Sequence, residues 1–191
     1  ESDNGIVKLN YRCGQIPVSF NNGVLWMKQN QPEFGRKLDK LSLAETLGLS
    51  VDDIADSPIM EVTTGLPFTI VQLKSLNCLK RATVNLDIYN DFIKQTWAKG
   101  IMAFCFEGYE KGQDISTRVF VNYQGIPEDP ATGSATGCLA AYLLKYNILQ
   151  HSNIELTLAQ GYEINRRSEL LINAKLIGDI YSINVGGKVI E

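Results

Sequence analysis

The sequence predicts an α+β domain. Helical and strand-like segments are interleaved without the regular strand–helix–strand rhythm of a doubly wound sheet. Three strand-like runs follow one another at the C-terminal end. Of the 191 residues, 45% are hydrophobic and 20% charged, an ordinary globular composition that excludes disorder, collagen and coiled coil. A chain this long buries a real core.

The elements are expected in the following order. Residues 5–20 read as two short strands broken near Cys13-Gly14, and Asn22-Gly23 is a two-residue hairpin signal. Val24 to Asn30 reads as a strand, and Gln31 to Gly35 as a connector. Ser42-Leu-Ala-Glu45 has the form of a capping box, with Gly48 as a helix stop. Ser50 with Asp53 opens a second short helix. Ile59 to Thr64 and Phe68 to Leu73 are strand-like runs around a turn at Gly65-Leu-Pro67. Ser75 to Arg81 forms one or two helical turns. Ile88, Phe92, Ile93 and Trp97 recur at helical spacing, and Gly100 is expected to close that helix. Ile101 to Phe106 reads as a buried strand, and Ser116 to Tyr123 as another. After a loop from Gln124 to Gly133, residues Ala135, Cys138, Leu139, Tyr142, Tyr146 and Leu149 mark one face of a helix. Strands are expected at Ile154–Gln160, Glu169–Leu176 and Ile180–Val185.

Charge and cysteine usage narrow the function. The net charge of −3 gives no basic face for a nucleic-acid backbone. The longest apolar runs, Ile101 to Phe106 and Cys138 to Leu144, fall far short of the roughly 20 residues of a membrane span. Cys13, Cys78, Cys105 and Cys138 are widely spaced, which predicts free, mostly buried thiols and a cytoplasmic location. One histidine, His151, and scattered cysteines leave no metal site to expect. Phosphate-cradling glycine loops are missing, so no cofactor is expected. The chain opens Glu-Ser-Asp-Asn-Gly with no methionine, so either something was removed or it is part of a longer chain.

One segment stands apart: Gly125-Ile-Pro-Glu128-Asp129-Pro130-Ala131-Thr132-Gly133-Ser134-Ala135. Pro130 biases Asp129 toward an extended backbone. Small residues then lead into an apolar helix, whose start offers unpaired N–H groups and the positive end of a dipole. Thr132, Gly133 and Ser134 could hold a substrate carboxylate there, and Asp129 could move a proton on it. The residues alone leave a second possibility open, that Asp129 or Thr132 simply caps the helix.

That run resembles the G-x-x-E-D-P-A-T-G-S-A signature of the PhzF family, the phenazine-biosynthesis-like proteins. Further segments are similar in order and spacing. They are Met27-Lys-Gln-Asn-Gln-Pro32, Thr64-Gly65-Leu-Pro67-Phe68 through Ser75, Ser116-Thr-Arg118-Val-Phe120, Gln160-Gly161, and Gly186-Gly187 as a closing glycine turn. Asn165-Arg166-Arg167-Ser168 departs from the family's G-R-P-S. The resemblance implies a diaminopimelate epimerase-like fold, with a mixed sheet wrapped around a central helix in each of two domains. It also implies a cofactor-independent isomerase that works by proton transfer on a small carboxylate-bearing metabolite. By motif, Asp129 and Ser134 are the expected catalytic residues. Thr132, Gly133 and Ser134 are expected to bind substrate, and Glu128 to be structural. The family's N-L-S-E glutamate and G-H histidine have no counterpart here.

The domain expectation follows. Residues 1–30 would be the last strands of a first domain, 31–185 an epimerase-like domain, and 186–191 a tail returning toward the first. The expected partners are a missing N-terminal segment and a second copy in a homodimer. The alternatives are a non-catalytic anion-binding module or one subunit of a split enzyme.

Overall fold

The computed structural model describes residues 6–11 and 14–188. Among them twelve strands form one sheet, with four α-helices and two single 3-10 turns. Cys13, part of the expected break, lies outside the described residues.

The chain starts as a meander. β1 (Ile6–Tyr11) pairs antiparallel with β2 (Gly14–Asn21), and β2 with β3 (Val24–Lys28). Asn22 and Gly23 turn between them with φ of 50° and 77°, the left-handed pair that a tight hairpin needs. The expected connector is instead largely a strand, β4 (Glu33–Leu38), at the sheet edge beside β5 (Ile59–Thr63). Its register shifts between Phe34 and Lys37, so no alternating pattern survives in the sequence to announce it.

α1 (Lys40–Thr46) is capped by Asp39, not by Ser42. Both the Ser42 N–H and its hydroxyl donate to Asp39 Oδ2 at 2.8 Å. The Ser42 N–H in particular holds the Asp39 carboxyl below its ordinary range. The cap therefore sits one turn earlier than the box pattern suggested. The Ser50–Asp53 box is present, on a single 3-10 turn.

β5 and β6 (Pro67–Gln72) form the expected hairpin. α2 (Leu76–Arg81) follows, capped by Ser75, and then α3 (Leu86–Gln95). α3 ends before Trp97, and Gly100 opens β7 (Gly100–Cys105) instead of closing the helix. A Cβ on Gly100 would lie 2.6 Å from the Phe68 ring, so packing explains the glycine. β8 (Ile115–Phe120), the two-residue β9 (Glu128–Asp129) and α4 (Gly133–Lys145) come next. α4 begins earlier and ends earlier than the apolar spacing predicted. Asn147, at φ 48°, turns the chain away, and Leu149 packs on the core from beyond the helix. β10 (Asn153–Gln160), β11 (Ser168–Ile177) and β12 (Ile180–Lys188) complete the fold. Gly186 and Gly187 lie inside β12, paired with Trp26 and Leu25 of β3, and are not a turn. A Cβ on Gly186 would meet the Trp26 ring at 2.8 Å.

The strand order is β1-β2-β3-β12-β11-β10-β8-β7-β6-β5-β4, with β9 attached to β8. The sheet curls around α4, which contacts β5 and β6 on one side and β11 and β12 on the other. Every residue from Ala135 to Leu144 is buried. Such a helix is apolar all round, because sheet surrounds it. Side chains alternate across the strands. Ile70, Met102, Phe104 and Val119 face α4, whereas Val71, Ile101, Ala103 and Phe120 face α1 to α3. Each fully buried aliphatic side chain contributes roughly 1.5–3 kcal/mol. This is the α+β, epimerase-like architecture of a mixed sheet around a central helix.

Candidate functional site

The signature segment forms the entrance to α4. Glu128 and Asp129 pair antiparallel with Phe120 and Val119 of β8, which turns their side chains to opposite faces. Glu128 is buried and points to Arg118. Arg118 Nε lies 3.1 Å from Glu128 Oε1, and Nη2 lies 2.7 Å from Oε2. Arg118 Nη1 donates to the carbonyls of Leu79, at 3.2 Å, and Ala82, at 2.7 Å. The pair ties the signature strand to the end of α2 and leaves Glu128 no free oxygen.

Asp129 is half-buried on the other face. Its Oδ2 accepts the Thr132 hydroxyl proton. Among the described residues nothing donates to its Oδ1. Thr132 occupies the N-cap position of α4, but its side chain does not cap. Its carbonyl accepts from the Thr136 N–H and hydroxyl, both at 3.0 Å. The N–H groups of Gly133, Ser134 and Ala135 have no carbonyl to bond within the helix, and no described side chain accepts from them. The Ser134 hydroxyl is half-buried and makes no hydrogen bond with a described residue. The simple capping role left open by the sequence is therefore not what these side chains do.

Asp129, Thr132, Gly133 and Ser134 are thus brought together at one helix end. Three donors of a positive helix terminus adjoin a carboxylate with one open oxygen. His151 is exposed, beyond the other end of α4. Among the described residues no cluster of three or more metal-ligating side chains exists, and no helix is long and apolar enough to cross a membrane. Cys78, Cys105 and Cys138 are free and buried.

Two supports were not read as site residues from the sequence. Gln160, wholly buried, bonds Asp129 and Thr132. Gln29 and Thr64 press on the first turns of α4. Thr64 Oγ1 donates to Gln29 Oε1 at 3.1 Å, and a Cβ on Gly137 would lie 2.6 Å from that oxygen. Both segments carried family-like motifs, but nothing in a polar residue's letter announces which neighbour it will meet. In the turn after Gln160, Asn165, which stands where the family's G-R-P-S has glycine, is left-handed at φ 54°.

Two clefts among the described residues lie elsewhere. One of about 380 Å³ runs between β4, α1 and α3, lined by Arg36, Asp39, Glu45, Ile88 and Phe92. Another of about 270 Å³ lies behind the signature, against Val84, Phe120, Arg118 and Glu128. Neither is lined by Asp129, Thr132 or Ser134.

A family model described as phenazine biosynthesis-like protein (PhzC-PhzF) matches residues 1–190. A Bacillus subtilis protein named uncharacterized isomerase YfhB is 29% identical over 188 residues, 96% of this chain and 61% of its own length. An uncharacterized isomerase of Pasteurella multocida is 31% identical over 189 residues, 97% of this chain and 57% of its own. Among solved structures, a PhzF-family phenazine biosynthesis protein of Bacillus anthracis superposes with a TM-score of 0.85 at 26% identity, over 98% of this chain and 66% of that one. A Pseudomonas aeruginosa protein described as a predicted epimerase superposes at 0.75 with 26% identity, over 96% and 63%. The chain spans less than two thirds of the length of each of these relatives.

Proposed function

We propose, from the premise that this chain belongs to the phenazine biosynthesis-like (PhzC-PhzF) family, that it forms the anion-binding half of an isomerase acting by proton transfer on a small carboxylate-bearing metabolite. The observation that carries this reading is the open Oδ1 of Asp129 beside the uncapped start of α4. The N–H groups of Gly133, Ser134 and Ala135 hold the substrate carboxylate, and the Ser134 hydroxyl adds a contact. Asp129 takes a proton from, or returns one to, the carbon beside that carboxylate. Proton relocation needs a second acid/base on the other side of the carbon. The family resemblance assigns that group to the glutamate of an N-L-S-E motif, which this sequence does not carry. The chain alone is then inactive, and the complete cytoplasmic protein, assembled as a homodimer, needs neither metal nor organic cofactor. The relatives named as isomerases support the reaction class.

The test has two stages. Acetate titrated into the chain should shift the amide resonances of Gly133, Ser134 and Ala135. The complete protein, incubated in D₂O with small carboxylates that bear an adjacent C–H, should exchange that proton for deuterium. Asp129→Asn should slow exchange at least about 100-fold, the lower range for one acid/base group. Unchanged exchange and binding in that variant would sink the catalytic reading.

A second reading is favoured by the helix start itself, where the Thr132 side chain makes no cap hydrogen bond and the first N–H groups are left for an anion. The chain would then bind small anions without chemistry. Acetate shifts with no deuterium uptake by the complete protein would select it.

A further inference from the structure

We propose that Gln160 is a positioning residue of this site, acting through the Thr132 hydroxyl to keep one oxygen of Asp129 open to the ligand. The inference rests on the reading of Asp129 above. Gln160 ends β10 and has no exposed surface. Its orientation is fixed by the Thr132 backbone N–H, a donor that must meet the carbonyl end of the amide, Oε1, at 3.2 Å. Nε2 then faces the Asp129 carbonyl oxygen at 2.6 Å and Thr132 Oγ1 at 3.0 Å. A primary amide nitrogen carries two hydrogens, and these contacts use both. The Thr132 hydroxyl is therefore an acceptor from Gln160. Its own single proton goes to Asp129 Oδ2.

The two oxygens of Asp129 become unequal by this chain of bonds. Oδ2 is held, and Oδ1 remains to take the substrate's proton and give it back. Topology supplies the alignment. β10 lies parallel to β8 with Gln160 opposite Thr117, while β9 lies antiparallel to β8 with Asp129 opposite Val119. Residues 28 and 31 apart in sequence thus meet at one end of the sheet. Gly161 closes that end. At φ 79° it leaves a space where a Cβ would lie 2.2 Å from the Arg166 carbonyl oxygen and 3.0 Å from that of Pro130. The backbone after Gln160 is pressed against the signature loop.

A glutamine that merely held the loop would affect stability and binding together. A positioning role separates kcat from KM. The test uses Gln160→Met, which keeps volume without hydrogen bonds, together with Thr132→Val, Thr132→Ser and the double variant Gln160→Met/Thr132→Val. They are assayed in the complete protein with a carboxylate that exchanges deuterium. The first two should lower kcat about 10-fold, less than the loss of the acid/base itself, with KM within about threefold. Thr132→Ser, which keeps the hydroxyl, should recover kcat relative to Thr132→Val. The double variant should be no worse than the poorer single, because both break one route. Additive losses, a raised KM at unchanged kcat, or full kcat in Gln160→Met would overturn the proposal. If Asp129→Asn is inactive while Gln160→Met is fully active, only the positioning role fails. If Asp129→Asn is active, the reading beneath it fails as well.

A readout without substrate is the proton spectrum of the chain. The Thr132 hydroxyl proton should exchange slowly with water and be displaced or lost in Gln160→Met, while the Gly133 to Ala135 amides keep their dispersion. A Thr132 hydroxyl signal indifferent to Gln160→Met, or none in the wild type, would count against the proposal.

Discussion

Glu128→Gln should destabilise the protein by about 3 kcal/mol, the low end for breaking a buried ion pair from one side. The magnitude follows from what Arg118 keeps. Its side chain is 10% exposed and that of Glu128 is 4%, so water cannot replace the lost charge. Glutamine preserves the shape and one acceptor, but its NH₂ turns toward the guanidinium, where donor meets donor. The upper end of the range, about 5 kcal/mol, is not expected. Nη1 still has the carbonyls of Leu79 and Ala82, and Glu163 lies 3.8 Å from Nε. Guanidinium unfolding followed by circular dichroism measures the change directly. In a chain of this size it corresponds to a fall in Tm of about 6–12 °C. The double variant Arg118→Met/Glu128→Leu should recover much of the loss, since it removes both charges. It should not recover all of it, because the α2 carbonyls lose their donor. A loss below about 1 kcal/mol in Glu128→Gln would refute the reasoning. Arg118 would then be satisfied without the carboxylate, and Glu128 would be free for another role.

Three further outcomes are expected. Gly137→Ala should cost about 1–3 kcal/mol in the same unfolding assay, because its methyl would crowd Gln29 Oε1 and Thr64 Oγ1 at 2.6 and 2.9 Å. Burial pushes the Cys105 and Cys138 thiols from an ordinary value near 9 up to about 11. The unfolded chain therefore loses these protons first as pH rises, and the stability they carry is intact below pH about 9 and lost as pH climbs through 11. A urea midpoint that holds or rises between pH 9 and 11 would contradict this. In the complete protein, deuterium exchange on a carboxylate substrate should survive a metal chelator. Loss on chelation with recovery by one metal would show a site that the residues here do not reveal.

The sequence made the central elements legible where local and tertiary demands agreed. β5, β6, β7 and β8 stand where their β-rich runs placed them, because each is buried on both faces or alternates between two packed layers. The misreadings occur where a local signal had two physical uses. Gly100 has the spacing of a helix stop, yet it is a glycine because the Phe68 ring occupies its Cβ space. Gly186, with Gly187, has the form of a turn, yet it lies in a strand beneath Trp26. Ser42 and Glu45 had box spacing, but an aspartate three residues before Ser42 competed for the same N–H with a charged oxygen. Glycine and serine mark a constraint without saying whether a dihedral angle, a ring or a cap imposes it.

The candidate site shows the same limit at longer range. Asp129, Thr132, Gly133 and Ser134 are nearly contiguous, so one turn of chain suffices to gather them and the motif could be read directly. The Gln160 amide reaches them only through two strand registers, β10 on β8 and β8 on β9. A slip of one residue in either would turn Gln160 to the opposite face. Its role is therefore a property of the sheet and not of any local pattern. This also explains why the helix start can remain uncapped. In an isolated α4, the Thr132 hydroxyl would be drawn to the orphan N–H groups of its own first turn. In the folded sheet Gln160 donates to that hydroxyl from one side, and Asp129 accepts its proton on the other. With the hydroxyl so engaged, the first-turn N–H groups of α4 stay unpaired among the described residues, and an anion would accept from them.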